Sequence, residues 1–292
     1  MYAQYTDIIE PFGIDECWLD VTGSTKLFGS AEKIAYEIKD TMKNLIGLTI
    51  SVGVSFNKVF AKLGSDMKKP DAVTVIPKET FRDVIWDLPA SDMLGIGKST
   101  EKTLRRYGIT TLRDLAEANP HTLQLRLGKN SIFLWRYANG LDDSPVSHKN
   151  YKAPIKSIGH GMTCTRDLVN DQDAWRIFYE LSRDISDKLR DNNLMARGIQ
   201  ITVRDKNLGI RQFQQQLFTP TQSLKEIAMA ANKIFLDNYE WQKSIRSLTI
   251  RAINLVCSDI PIQLDFTTDY TIKEKNEKLE LAMKGITERE NK

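Results

Sequence analysis

Two adjacent carboxylates, Asp15 and Glu16, close a short Gly13-Ile14-Asp15-Glu16 stretch between two β-prone runs. On a regular strand neighbouring side chains point to opposite faces, so both acids can address one ion only where the chain bends, and the glycine-led stretch supplies that bend. Hard carboxylate oxygens, few in number and completed by substrate phosphates, describe a Mg²⁺ site of the phosphoryl-transfer kind. A solvent-facing acidic turn is the plainer alternative, and two carboxylates are fewer than a two-metal centre ordinarily uses. Further along, Lys58, Lys62, Asp66 and Lys69 recur at helical spacing, which gathers them into one stripe. Three ammonium groups on a stripe suit a triphosphate; they suit a salt-bridged surface equally well.

Gly95-Ile96-Gly97-Lys98-Ser99 ends like a nucleotide-binding P-loop, but that pattern needs a further glycine where Asp92 stands, which argues against an ATPase. Glycines ahead of Lys98, Lys102, Arg105 and Arg106 instead suit a helix N-terminus gripping a nucleic-acid phosphate. The other reading is an ordinary glycine turn between packed helices. Cys17, Cys164 and Cys257 are isolated, and His121, His148 and His160 are the only histidines, which argues against a disulfide framework or a structural zinc site.

The elements that must position these groups fall into four blocks: 1–88, 89–148, 149–258 and 259–292. In the first, residues 5–12 and 17–21 read as strands around the acidic turn, 31–45 as a helix and 48–54 as a third strand. A helix over 57–67 carries the lysine stripe and is stopped by Pro70, and 72–76 returns as a strand. The second block reads as short helices over 99–107, 112–118 and 132–139, with 140–154 as a linker. The third reads as strand, helix, strand, strand, helix, strand, with strands over 157–163, 198–204, 210–218 and 245–255 and helices over 174–190 and 224–238. That order predicts a ferredoxin-like layer with both helices on one sheet face. Alternation sends Ile199, Ile201, Val203, Leu248 and Ile250 to the core. It leaves Gln200, Thr202, Arg204, Ser247, Thr249 and Arg251 on a bare face, joined by Gln212, Gln214 and Gln216. Such a face suits phosphate contacts, and no aromatic is placed on it for base stacking.

Charge follows the same division. The chain carries 41 basic and 38 acidic side chains, yet residues 149–258 hold 17 basic against 11 acidic while residues 1–88 are net negative. A basic third block points to a polyanion partner. Apolar content of 41% supports globular cores, and no apolar run or signal-peptide profile marks a membrane or secreted protein, so a cytoplasmic location is expected.

The chain resembles the Y-family, or translesion, DNA polymerases over most of its length. The resemblance rests on GIDECWLDVTGSTKLFG from Gly13, SVGVSFNKVFAKLGSDMKKPDAVTVI from Ser51, LPASDMLGIGKSTEKTLRRYGI from Leu88 and KSIGHGMT from Lys156. It implies an α+β fold of three parts: a partial palm over 1–88, a helical thumb with a helix-hairpin-helix-like turn over 89–148, and a little finger over 149–258, with 259–292 as a tail. Asp15 and Glu16 match the paired metal-binding carboxylates of the family's S-x-D-E motif, with Gly13 at the usual serine, so two Mg²⁺ ions are implied for the intact enzyme. Lys69, with Lys62 beside it, matches the contact to the incoming deoxynucleoside triphosphate. Gly95, Gly97 and Lys98 match the thumb's phosphate turn, and Ser157, Arg204 and Arg251 fall on the little finger's primer-template DNA surface. Gln263, Leu264 and Phe266 resemble a sliding-clamp docking peptide, one leucine short. A linker before a charged helix from about Lys273 is the alternative.

Two departures accompany the match. Family members begin with a strand bearing the first catalytic aspartate, then the steric-gate aromatic and the fingers, and none of these precedes Met1. The resemblance therefore implies the DNA-binding part of a polymerase without its start, inactive alone; a catalytically dead DNA-binding or regulatory homologue is the alternative. His160 also stands where a basic residue often contacts DNA.

Overall fold

The computed structural model describes residues 1–261 together with Lys275, Lys278, Leu279, Glu280 and Ala282. Two compact units, Met1–Lys152 and Ala153–Lys292, divide the chain within the stretch that reads as a linker.

In the first unit β1 (Ile9–Phe12) and β2 (Glu16–Leu19) form an antiparallel hairpin that opposes Phe12 to Glu16. The first strand starts later than its composition predicts. Thr6 Oγ1 accepts the Ile8 N–H at 3.1 Å, a local bond that competes with strand pairing. α1 (Thr25–Phe28) leads into α2 (Ala31–Thr41), which Ser30 caps by accepting the Lys33 N–H. A π-helical turn, Met42–Ile46, extends α2 until Gly47 ends it at φ +76°. β3 (Val52–Ser55) and β4 (Val73–Ile76) then pair in parallel, joined through α3 (Lys58–Met67), whose first turn Asn57 caps through the Phe60 N–H.

Five further helices complete this unit: α4 (Phe81–Ile85), α5 (Lys98–Arg106), α6 (Leu112–Glu117), α7 (Pro120–Leu127) and α8 (Asn130–Ala138). The periodicity predicts neither α4 nor α7. α4 is too short to register a period, whereas α7 carries a start signal that hydropathy alone passes over: Asn119 Oδ1 accepts the N–H groups of His121 and Thr122, with proline at the first helical position. One apolar cluster runs from Phe60, Ile76 and Ile85 to Leu104, Leu112 and Leu115, so the sheet-bearing and helical parts share a core.

The second unit follows the expected element order: β5 (Ser157–Leu168), α9 (Asp171–Asp191), β6 (Leu194–Asp205), β7 (Ile210–Thr221), α10 (Leu224–Asn238) and β8 (Ile245–Cys257). Its sheet order corrects the ferredoxin-like expectation. The antiparallel strands run β5-β8-β6-β7, which puts the second and fourth strands of the unit at the centre, where the ferredoxin-like plan has the first and third. Hydropathy explains the choice. β6 and β8 bury Ile199, Ile201, Val203, Leu248, Ile250 and Ala252 almost completely, while the glutamine-rich β7 has few core-facing apolar groups and sits at an edge. α9 packs on β5 and β8, and α10 on β6 and β7, and among the described residues no helix of this unit covers the opposite sheet face.

Candidate nucleotide and nucleic-acid site

The acidic turn lies where the sequence places it, at the β1–β2 bend. Gly13 adopts φ +76°, which a side-chained residue rarely does; Ile14 is fully exposed, Asp15 ends the turn exposed, and Glu16 opens β2. α3 runs alongside. Lys62 Nζ lies 3.1 Å from Glu16 Oε1 and 2.7 Å from Asp66, Lys69 lies 2.6 Å from Asp66, and Lys58 meets both Glu10 oxygens at 3.0 Å. The stripe is therefore real, and each lysine on it already faces a carboxylate. Burial opposes the charge on Lys62, but Asp66 and Glu16 outweigh it and hold its pKa above the ordinary amine range.

Two groups outside the sequence reading fix this geometry. Gly53 on β3 lets α3 lie flat against the strand, because a Cβ there would sit 1.8 Å from the Ala61 carbonyl oxygen. A glycine inside a strand pattern is the signal for such close approach. Trp18 ties the hairpin to the helix: its indole N–H donates to the Lys58 carbonyl at 2.9 Å, and the Lys58 ammonium sits 5.2 Å from the ring centroid. Glu10 joins this cluster and also accepts the Ser147 N–H at 2.8 Å.

Gly95 and Gly97 frame the start of α5. Gly95 holds φ +90° with α8 close behind it, a Cβ there meeting Leu134 Cδ2 at 3.3 Å, and Gly97 is the residue before the first turn. Lys98, Lys102 and Arg106 are exposed along α5, while Arg105 pairs with Glu101 at 2.8 Å. At the start of α6, Asp114 closes a capping box with Thr111. The N–H groups of Thr110 and Thr111 lower its pKa to about 2.

On the bare sheet face of the second unit the register sets Gly159, Arg251, Gln200 and Gln214 in one row and Gly161, Thr249, Thr202 and Gln212 in the next. Arg204 pairs across from Ser247 on the same face, and Arg251 Nη1 comes within 3.4 Å of Ser157 Oγ. Gln200 donates to Gln214 at 2.9 Å. The sequence reading overlooks the two glycines. A Cβ at Gly161 would fall 2.2 Å from Thr249 Oγ1, so glycine keeps this end of the face low. It also overlooks one aromatic: Phe218, next after Gln216 in the alternation of β7, is 82% exposed at the edge of the sheet. His160 belongs to the helix side and pairs with Asp184 of α9, away from the bare face. Gln263, Leu264 and Phe266 lie outside the described residues.

Among the described residues no helix is long and apolar enough to cross a membrane, and no three His, Cys, Asp or Glu side chains gather as metal ligands. The carboxylate oxygens of Asp15 and Glu16 suit Mg²⁺ in kind, and in number they supply part of one cage.

Comparison with known proteins bears on the family and the fold. Residues 1–66 match the family model described as impB/mucB/samB family, and residues 155–266 match that of the impB/mucB/samB family C-terminal domain. DNA polymerase IV of Acetivibrio thermocellus is 45% identical over 99% of this chain and 72% of its own length, and DNA polymerase IV 2 of Bacillus subtilis is 34% identical over 98% and 70%. In fold, the chain is similar to a Y-family DNA polymerase chimera of Dbh and Dpo4, with a TM-score of 0.71 and 23% identity over 87% of this chain and 73% of the other. Identity at that level over nearly the whole length, with family models meeting both units, establishes that the chain belongs to the impB/mucB/samB family, the Y-family of translesion DNA polymerases.

Proposed function

We propose that this chain is the DNA-binding part of a template-directed translesion polymerase. Residues 1–88 serve as palm, 89–148 as thumb and 149–258 as little finger, with primer-template DNA as the partner and a deoxynucleoside triphosphate as the substrate of the intact enzyme. The observation that carries the reading is the bare sheet face, where Arg204 and Arg251 stand among neutral amides and hydroxyls on an antiparallel surface. Arginines set among Gln, Ser and Thr offer cations and donors of the kind that contact phosphates. Gly95, Gly97 and Lys98 add backbone N–H groups and a cation of the kind that grips a primer phosphate.

Asp15 and Glu16 would hold Mg²⁺, which when bound neutralises triphosphate charge and lowers the pKa of the attacking hydroxyl. What this chain's own residues do is position: Lys62 and Asp66 orient the Glu16 carboxylate, and Lys69 offers an ammonium to a phosphate that displaces Asp66. Two carboxylates do not complete a two-ion centre, so binding and chemistry separate in this polypeptide.

The test pairs anisotropy titration of a labelled primer-template with primer extension in Mg²⁺ and all four deoxynucleotides, beside Asp15→Ala/Glu16→Ala. Binding with little sequence preference is expected, and no extension above the double variant. Extension clearly above it would show that these residues suffice for chemistry, and absence of binding would remove the little-finger reading.

A further inference from the structure

Glu280 lies far beyond β8 in sequence, yet its side chain is only 15% exposed and four donors converge on it. Arg190 Nη2 lies at 2.6 Å and Ser223 Oγ at 2.7 Å, with the backbone N–H groups of Leu224 at 3.1 Å and Lys225 at 3.2 Å. Three of these four form the N-terminus of α10, a fifteen-residue helix, where N–H groups lack intrahelical partners and the helix dipole favours an anion. The fourth comes from the last turn of α9 on a side chain that is 10% exposed, with its Nε buried and lacking a hydrogen-bond partner among the described residues.

An ordinary N-cap does not need this carboxylate. Ser223 already caps α10 by accepting the Glu226 N–H, so the Glu280 contact is additional to the local motif and reaches across more than fifty residues of sequence. Burial works against ionising Glu280, but Arg190, Ser223 and the two amides prevail and keep it below the usual carboxylate range. Leu279 beside it is 59% exposed, so the adjoining apolar side chain is not buried with it.

We infer that Arg190 and the N-terminus of α10 form a receptor for an acidic side chain, and that Glu280 occupies it as a latch fastening the C-terminal segment to the helix layer. The latch sits on the side of the sheet opposite the bare face. Its effect is to fix the chain at Glu280 to the end of α9 and the start of α10. This goes beyond the DNA-binding reading and does not depend on it, because the receptor and its occupant are both present without DNA.

The test uses the full chain. Glu280→Gln keeps the shape and removes the charge. Tryptic cleavage after Lys275 and hydrogen exchange at the Leu224 and Lys225 amides should each accelerate roughly tenfold or more, the loss expected for a charge-assisted, multiply bonded group. The amides of Leu248 and Ile250 in the sheet should keep their protection. Arg190→Lys retains a cation without the planar fork and should move cleavage the same way by a smaller factor. Unchanged cleavage and exchange in Glu280→Gln would overturn the latch. Equal acceleration throughout the sheet would overturn it as well, since Glu280 would then be part of the unit's cooperative core.

Discussion

The lysine stripe of α3 and the bare face of the second unit are both polar surfaces suited to phosphate, and they solve the problem of unpaired charge in opposite ways. Lys58, Lys62 and Lys69 each face a carboxylate, so a phosphate must displace Glu10, Glu16 or Asp66 to be bound. Arg251 and Arg204 instead sit beside Ser157, Gln200, Ser247 and Thr249. Neutral neighbours leave their charge for a ligand. The stripe is thus held in place at a cost in affinity, and the face is ready to bind with little geometric demand, the pairing expected when one surface positions a reacting group and the other follows a repeating backbone.

Salt separates the two most sharply. Two phosphate contacts through the bare face should cost on the order of tenfold in primer-template affinity between about 50 and 200 mM monovalent salt, and Arg204→Ala and Arg251→Ala should each weaken binding and flatten the salt slope by about one unit. Lys62→Met should leave both affinity and slope nearly unchanged, because that ammonium is already satisfied. A Lys62 effect equal to the arginines' would show that the paired stripe and the bare face meet phosphate alike. The next effect in size is steric. Gly161→Val places side-chain atoms against Thr249 Oγ1 and should destabilise the second unit by roughly 1–3 kcal/mol, read as a lower midpoint in denaturant titration. Gly108→Ala, a glycine with open space around it, serves as the strain-only comparison at φ +75°.

The smallest effect concerns acid. Burial penalises the Glu10 carboxylate, but the Ser147 N–H and Lys58 outweigh this and set its folded pKa below the ordinary value. Its contribution is therefore complete above the normal carboxylate range near pH 4 and is lost as pH falls through the depressed folded value. The Trp18 indole N–H resonance, beside Lys58, should shift in that window and hold steady from pH 5 to 8. Its movement should cost under about 1 kcal/mol, as for other partly exposed pairs.

Much of this was legible in the residues. Alternation in β6 and β8 assigns both sheet faces, and helical spacing places Lys58, Lys62 and Asp66 together. Strand order was not legible from element order, since right-handed crossovers with both helices on one face are satisfied either way. Apolar content could have decided it: strands as hydrophobic as β6 and β8 belong inside a sheet, and a strand reading Gln212-Phe213-Gln214-Gln215-Gln216 belongs at its edge. The partners of the lysines were hidden for a different reason. Glu10 and Glu16 are more than forty residues away from them in sequence, and the hairpin that carries them is tied to α3 by the Trp18 indole on the Lys58 carbonyl, a contact no spacing reveals.

The central place of β8 also governs the order in which the second unit can be made. β6 and β7 can close on each other as soon as both have left the ribosome, helped by Asp205, whose carboxylate accepts the N–H groups of Asn207 and Gly209 in the connecting loop. Among the described residues β5, the first of the four strands to be made, has no sheet neighbour except β8, the last of the four. During translation β5 and α9 must therefore wait for Ile245–Cys257 to emerge and slide between two existing pieces. The keystone strand is the last of the four to emerge, so the sheet of this unit closes only after β8 has been made.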